Sequence, residues 1–325
     1  MAVPNRTEVL DDLYTSTWNN RKKEVTDQIF DACPLTKALQ DNGGIQLNGT
    51  GGRYLEIPLA YAKNETITSI GKGDTVSISE TQFMTVAQFE WKFVAGSLVR
   101  YFTDEAKNKS VQAHLNWINQ KIDNLRDSLT DQFETMLFAD GTGNGSKDIN
   151  GLDNLVSTTP TTAATVGNIA QATYTWWQNR QKTATGSASV YLLSDMRTLA
   201  NTISEGKTRQ YPDIIVTTQT VAELYDDEVL EQRQIVNQTK GDADFTTTAW
   251  KGVPILWSSK CPSGRMYMLR SDNIGLNVDP DLNMQMTDWK AIPNQVNDRV
   301  AQIVWKGELI TNRRKSLGVM TSIAA

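Results

Sequence analysis

Residues 110–138 read SVQAHLNWINQKIDNLRDSLTDQFETMLF, and apolar side chains recur in them at intervals of three and four. The apolar positions are Val111, Leu115, Ile118, Ile122, Leu125, Leu129, Phe133 and Met136. Polar residues fill the positions between them, which is the pattern of one amphipathic helix. At about 1.5 Å per residue this helix would be roughly 40 Å long, well above the average in globular proteins.

Two arrangements would bury the apolar stripe of this helix. A two-stranded coiled coil is one, but the repeat lasts only about four heptads, and the positions that flank the stripe lack systematic opposite charges. The sequence therefore favours a single long helix that packs on a sheet.

The glycine-rich residues 140–147, DGTGNGSK, follow the helix directly. A phosphate-binding loop would follow a strand and place Gly-Lys-Ser/Thr four residues after its first glycine, whereas here Ser146 precedes Lys147. A calcium loop counted from Asp140 would need a glutamate at its twelfth position, where Gly151 stands. We therefore expect residues 140–147 to end the helix and to bind neither ligand.

Upstream of the helix the pattern changes to strands with a period of two. Residues 45–47 and 54–59 form the first strand-like runs, and a third has alternating apolar positions at Phe83, Ala87, Phe89, Trp91 and Phe93. The polar residues 63–80 lie between them, with Ile70, Gly71, Lys72, Gly73 and Asp74 at their centre. This order predicts a long hairpin with a charged, glycine-rich tip, although an ordinary surface loop is the alternative.

Residues 1–40 are predicted to form two or three short amphipathic helices. Trp18 and Phe30 make the segment too apolar for a disordered leader, and its charges nearly cancel. We expect it to dock either on the chain's own core or on a neighbouring subunit.

The second half of the chain mixes helical and strand patterns, which indicates an α/β region. Helices are predicted at residues 169–181, 194–203 and 221–232, and strands at 190–193, 214–216, 253–257, 266–269 and 300–309. No repeat of fixed period appears, which excludes solenoids and propellers.

Composition excludes several classes of protein. A net charge of −5 and an isoelectric point near 5.1 argue against a basic surface that coats nucleic acid. Cys33 and Cys261 lie far apart and outside any CxxC motif, so neither a disulfide framework nor a zinc site is predicted. The mean hydropathy is −0.42 and the N-terminus lacks a secretory pattern, so we expect neither a membrane span nor export, and synthesis in the cytoplasm.

The residue types that carry catalysis are sparse. The single histidine, His114, lies on the long helix without a predicted partner. The acidic residues Asp226, Asp227, Glu228 and Glu231 are spaced for an exposed helical face. Trp176-Trp177 could stack on a sugar or nucleotide, but large aromatic side chains more often anchor cores and interfaces. We therefore expect no enzyme activity, no cofactor and no metal.

The order of these elements resembles the major capsid proteins of tailed bacteriophages with the Hong Kong ninety-seven type fold. The resemblance rests on the arm, the hairpin, the long helix that ends in ADGTG (residues 139–143), and NGL (residues 150–152). It continues through YPDIIVTT (211–218), WKGVPI (250–255), CPSGRMYML (261–269), GEL (307–309) and GVMT (318–321), and so covers nearly the whole chain.

The resemblance implies an α+β subunit with the domain order of that family. Residues 1–42 would be the N-terminal arm, 43–100 the E-loop hairpin with its flanking strands, and 101–155 the peripheral domain with the spine helix. Residues 156–280 would form the axial domain, and 281–325 would return to the peripheral domain.

The implied function is self-assembly through hexamers and pentamers into an icosahedral head around double-stranded DNA, without sequence-specific binding. Met1 leads almost directly into the arm, so a separate scaffolding protein is expected. The resemblance also implies a portal and a decoration protein as partners. The implied location is the virion. The candidate contacts between subunits are Trp18, Phe30, Ile70, Gly71, Lys72, Gly73, Asp74, Arg313 and Arg314.

Three other functions remain open on the sequence. The shell of an encapsulin-type nanocompartment would use the same fold but package proteins. Another virion component, such as a tail or decoration protein, is the second. A carbohydrate-active hydrolase is the third, and the lone histidine weighs against it.

Overall fold

A computed structural model describes residues 12–13, 15–18, 20–21, 33–47, 52–79, 82–103, 111–205, 210–232 and 249–324, with only the backbone at 111–118 and 229–232. Its helices are α1 (Pro34–Asp41), α2 (Val111–Phe138), α3 (Leu152–Leu155), α4 (Ala188–Ser204) and α5 (Gln219–Gln232). Helix α2 is the long helix predicted from the sequence.

Sixteen strands are assigned within the described residues. Those before α4 are β1 (Ile45–Leu47), β2 (Tyr54–Ala60), β3 (Met84–Glu90), β4 (Lys92–Arg100), β5 (Thr165–Val166), β6 (Ile169–Ala170) and β7 (Arg180–Thr183). Those after it are β8 (Ile214–Thr217), β9 (Ala249–Trp250), β10 (Val253–Trp257), β11 (Met266–Leu269), β12 (Ile274–Val278), β13 (Gln285–Met286), β14 (Lys290–Ala291), β15 (Arg299–Thr311) and β16 (Gly318–Thr321).

The first sheet is built on the long strand β15. Strands β4, β12, β13 and β14 pair with it in antiparallel fashion, and β1 adds parallel to β12. Helix α2 packs on one face of this sheet, where a side chain at Gly96 would meet Leu125 at 2.9 Å. Phe133 of the helix contacts Trp305 of β15 edge to face, with ring centroids 5.0 Å apart. The predicted packing of a single long helix on a sheet is confirmed.

The second sheet has the strand order β7-β16-β11-β8-β10-β9, and its central strands β16, β11 and β8 are buried on both faces. Ile214, Val216, Tyr267, Leu269 and Val319 join the core cluster that also contains the first sheet and α2. The alternate residues Ile215, Met266, Met268 and Met320 join a second cluster beneath α4 and α5. This two-sided burial explains the continuous apolar runs, because a strand covered on both faces has no polar side.

Two elements of the second half differ from the prediction. Residues 190–193 were expected as a strand but belong to α4, because Leu192 continues the buried helical stripe of Ala188, Met196 and Leu199. Residues 169–181 were expected as a helix but contain β6, a short 3-10 turn and β7. Strand β7 is held by parallel pairing with β16, a contact between residues far apart in sequence that local periodicity does not reveal.

The predicted alternation over residues 83–93 holds only from Ala87 to Trp91, since Phe83 is 51% exposed. Ala87, Phe89 and Trp91 are buried, whereas Phe93 is 57% exposed. Residue 91 separates β3 from β4, and beyond it the more buried side chains stand at even positions, including Leu98 and Arg100. The chain therefore changes the face that it turns to the core at Trp91.

The C-terminal residues contribute to both sheets. Strand β15 lies in the first sheet. Strand β16, however, lies between β7 and β11 in the second sheet, and β12 from the preceding region lies in the first. The boundary predicted at residue 281 therefore does not separate the strands of the two sheets.

Among the described residues, no helix combines the length and the apolar character that crossing a bilayer requires.

Candidate functional site

The predicted hairpin consists of β2 and β3, which pair in antiparallel register from Tyr54 opposite Glu90 to Ala60 opposite Met84. The Tyr61 amide then donates to the Phe83 carbonyl at 2.9 Å. Beyond that bond, no strand is assigned in residues 62–79 or at 82–83. The hairpin is thus a paired stem that carries a long irregular tip.

The base of the stem is anchored to the second half of the chain. Phe89 and Ala87 are buried against Gly167, in the tight turn between β5 and β6, where an added Cβ would meet the Phe89 ring at 3.0 Å. Gly167 has a φ of +60°, a conformation that favours glycine. The Gln88 amide donates to the Gly167 carbonyl at 3.0 Å. The stem therefore has a fixed position on the subunit.

The tip carries apolar side chains that the subunit does not cover. Ile78 is 98% exposed and Ile67 is 83% exposed. Ile70, Val76 and Phe83 are also more than half exposed. Single exposed apolar residues are normal on a protein surface, but a group along one projecting segment indicates a binding surface. We call these five residues the apolar tip.

The predicted tip residues 70–74 are all exposed and close a small turn. The Asp74 carboxylate accepts a hydrogen bond from the Gly71 amide at 2.6 Å, and the Asp74 amide donates to the Gly71 carbonyl at 3.3 Å. Gly73 has a φ of +95°, which L side chains rarely adopt. The structure therefore brings Ile70, Lys72 and Asp74 together on one turn, and their contact with a neighbour stays a prediction.

Two of the predicted contact residues are instead part of the subunit's interior. Trp18 is 1% exposed and belongs to the main core cluster, so this part of the arm docks on its own subunit. Arg314 is fully buried. Both were wrong as contacts between subunits, because neither side chain reaches the surface. Phe30 lies outside the described residues.

Arg314, the middle residue of the basic triplet 313–315, lies at the centre of a buried hydrogen-bond network that the sequence did not reveal. Its guanidinium donates to the carbonyls of Leu155, Trp177 and Asn154 and to the side-chain oxygens of Gln171 and Asn179, over 2.8–3.4 Å. Burial lowers the pKa of Arg314 to about 10. The flanking Arg313 and Lys315 give no local signal for this burial, since the acceptors come from residues 154–179.

Glu308 is a second buried charged-type residue that sequence reasoning missed. Its Oε1 accepts from the Asn150 amide at 2.9 Å and from its own neighbour, the Leu309 amide, at 3.1 Å. Its Oε2 has no hydrogen-bond partner among the described residues. Desolvation raises the pKa of Glu308 to about 8, against the opposing effect of these amides and of Lys92.

Arg313 does lie at the surface, in a cleft between the tip end of the hairpin stem and the second sheet. The cleft has a volume of about 390 Å³ and is lined by Leu59, Ala60, Tyr61, Lys63, Trp176, Trp177, Glu205, Asn312, Arg313 and Lys315. Glu205 lies 3.0 Å from Arg313, 3.2 Å from Arg180 and 3.9 Å from Lys315. We call this site, with Arg180 at its margin, the basic cleft.

Trp176 and Trp177 act as anchors in this region. Trp177 is buried, and its Nε1 donates to the Val166 carbonyl at 2.9 Å. Trp176 stacks on Tyr61 of the hairpin, with ring centroids 5.2 Å apart. The pair therefore ties the tip end of the hairpin stem to the second sheet, which is the packing role expected for large aromatic residues.

The remaining residues considered for catalysis or metal binding, the two cysteines and the histidine, form no common site among the described residues. Cys33 and Cys261 are both buried, and desolvation raises the pKa of each thiol to about 12. Within the described parts of the chain, no three His, Cys, Asp or Glu side chains are grouped to hold a metal ion. Only the backbone of His114 is described.

Comparison with known proteins relates the fold to viral and compartment shells. No protein-family model matches the sequence, and no curated protein sequence matches it either. By structure, the chain is similar to the capsid subunit of cyanophage A-1(L), at 15% identity and a TM-score of 0.65, over 90% of this chain and 93% of that one.

Two further solved structures are similar over most of their length. The capsid of an empty GTA particle is 9% identical with a TM-score of 0.56, over 88% of this chain and 90% of that one. The SrpI encapsulin of Synechococcus elongatus PCC 7942 is 12% identical with a TM-score of 0.55, over 88% of this chain and 87% of that one. The chain therefore has the mixed helix-and-sheet fold of tailed-phage capsid proteins, which encapsulin shells share.

Proposed function

We propose that the chain is the major capsid protein of a tailed bacteriophage, which assembles through hexamers and pentamers into an icosahedral head around double-stranded DNA. The observation that carries the proposal is the apolar tip, which projects from a stem fixed on a fold otherwise found in shell proteins. A monomer gains nothing by exposing it, whereas a shell subunit buries it on a neighbour.

The energetics support self-association. A stable interface between proteins buries about 1,600 Å² in total, and about 25 cal/mol is gained for each Å² of apolar surface removed from water. Projecting segments such as this hairpin let a thin shell subunit reach that area with each neighbour. The net charge of −5 suits a wall that encloses DNA without adhering to it.

The partners that the proposal implies are a separate scaffolding protein, a portal and a decoration protein, and the location is the virion. Similarity in fold to the phage capsids supports these assignments by analogy alone.

Electron microscopy of the purified chain, alone and with a scaffolding partner, tests the proposal. We expect capsomers or closed shells. Material that stays monomeric at every concentration and salt condition, with and without scaffolding protein, would contradict it.

An encapsulin-type compartment is the second candidate function, because the SrpI encapsulin is also similar in fold. The two functions differ in cargo. Nuclease treatment and mass spectrometry of shells isolated from the native host distinguish them: protected double-stranded DNA supports a phage head, and a co-purified enzyme supports a compartment.

A further inference from the structure

The cations of the basic cleft outnumber the carboxylates that pair with them. Arg180, Arg313 and Lys315 all lie within 4 Å of one carboxylate, Glu205. Lys63 adds a fourth cation to the lining. In a chain whose net charge is −5, such a concentration of cations indicates a site for a second anionic group.

The basic cleft stands at one edge of the second sheet. Arg180 begins β7, which is the edge strand, and Glu205 immediately follows α4, which packs on that strand. The other cation of this edge, Lys182, is already paired with Asp195 at 3.4 Å. The unbalanced charge therefore belongs to the cleft itself.

The opposite edge of the same sheet carries an acidic surface on helix α5. Glu223, Asp226 and Asp227 are spaced by three and four residues, which places them on one face of the helix. Helix α5 packs beside β10 and β9, and the Tyr225 hydroxyl on it donates to the Ala249 carbonyl of β9 at 3.3 Å. Glu223 accepts a hydrogen bond from Gln219 at 2.8 Å. Within the described residues, no ion pair is formed by Asp226 or Asp227.

Among the described residues no ion pair joins the basic cleft to the acidic face of α5, although α5 packs against α4 as well as beside β10. Four strand-to-strand steps separate β7 from β10. At about 4.8 Å per step, these two strands lie roughly 19 Å apart. A positive surface at one edge and a negative surface at the other are complementary between copies placed side by side.

We propose that the basic cleft of one copy binds the acidic face of α5 on the next copy. The inference rests on the proposed shell function and names the surfaces that join neighbours within a capsomer. Such a contact is head-to-tail, because each copy presents a different surface to each neighbour, and head-to-tail contacts close into rings when the rotation between copies allows it. Tyr61 and Trp176 supply a rigid apolar wall beside the cations.

Charge reversal and its compensation test the pairing. Lys63→Glu is the first cleft variant, because Lys63 is exposed and its replacement leaves the Glu205 network intact; Arg313→Glu is the second. Asp227→Lys reverses the sign of one charge on the acidic face of α5. We expect each single variant to raise the subunit concentration needed for half-maximal assembly by about tenfold or more, since like charges then face each other. Combining a cleft reversal with Asp227→Lys is expected to restore assembly. Circular dichroism and urea unfolding check that the subunits stay folded.

A matched control variant keeps the net charge of the wild type. Lys63→Glu with Asp288→Lys has the same net charge as the wild type, and Asp288 is exposed away from α5; this pair is expected to remain defective. If the wild type forms shells and the Lys63→Glu and Asp227→Lys combination assembles no better than the control pair, the inference is overturned while the shell function stands. Wild-type protein that forms no particles overturns both. Cleft variants that assemble normally but no longer bind DNA in a gel-shift assay would also overturn the inference, because the cleft would then be a site for phosphate groups.

Discussion

The hairpin tip and the junction at the end of α2 differ in what they expose and what they bury. The tip leaves apolar side chains such as Ile67 and Ile78 in water. The junction, which comprises Asn150, Gly151, Glu308 and Arg314, buries polar groups and gives most of them hydrogen-bond partners. The difference teaches that this chain keeps its internal stability and its capacity to bind in separate places, so that changes in one should leave the other measurable.

The largest loss of stability is expected from Arg314→Met. The substitution keeps the length of the side chain but removes five donors, so that buried oxygens of Leu155, Gln171, Trp177 and Asn179 lose their partner. Each buried acceptor left without a partner typically costs about 1–3 kcal/mol. Urea unfolding of unassembled subunits measures the loss. The adjacent Arg313→Met is the control, and as a surface ion pair it should cost less than about 1 kcal/mol. Equal losses in the two variants would contradict the comparison.

Gly151→Ala is expected to be the next most damaging change. A Cβ at this position would lie 2.3 Å from the Ala139 carbonyl, 2.4 Å from that of Met136 and 2.6 Å from that of Leu137. The end of α2 would have to shift, and overpacking of this kind typically costs about 1–3 kcal/mol. Gly145→Ala is a nearby comparison, because a Cβ there meets open space and only its φ of +70° is unfavourable. A thermal midpoint for Gly151→Ala at or above that of Gly145→Ala would show that the packing at the junction is loose.

Glu308→Gln is expected to change how stability depends on pH, so that the difference in stability from the wild type grows as the pH rises above about 5. The pKa of Glu308 is raised to about 8 in the folded subunit, so the unfolded chain loses this proton first as the pH rises from about 4.5. Glu308 therefore lowers the free energy of unfolding between about pH 5 and 8, by up to about 1.4 kcal/mol per pH unit. The glutamine variant should lose this slope. Unfolding curves at several pH values measure it, and an unchanged slope would mean that Glu308 stays ionised in the fold.

The smallest effect on stability, and the largest on assembly, is expected at the apolar tip. Ile67→Ser with Ile78→Ser should change the free energy of unfolding by no more than about 0.5 kcal/mol, because both side chains are already exposed. Deleting residues 68–76 should likewise leave a folded subunit. Both variants should form few or no shells by light scattering and electron microscopy. Normal shells would show that the tip is dispensable and would remove the main support for the proposed function.

The elements predicted best from the sequence are those whose burial follows a local period. Helix α2 has one apolar stripe over its whole length, and the stem has alternating side chains, so both could be located. Residues 190–193 were misassigned because four apolar or aromatic residues in a row fit a strand and a buried helix equally well.

The candidate site was predictable only in part, for a physical reason. The exposed turn at residues 70–74 follows from its glycines and charges, which are local properties. Arg314 looked like its neighbours Arg313 and Lys315, since its burial depends on acceptors about 135–160 positions away in sequence. Long-range pairing of this kind leaves no trace in the spacing of nearby residues.

The change of face at Trp91 makes the length of the chain at this point critical. Strands β3 and β4 are separated by this single residue, and side chains alternate between faces at every step along a strand. If β4 kept its register with β15, inserting or deleting one codon here would turn the side chains of β3 to the other face. Ala87 and Phe89 would then leave the core for water, so we expect natural variation at this site to be confined to substitutions.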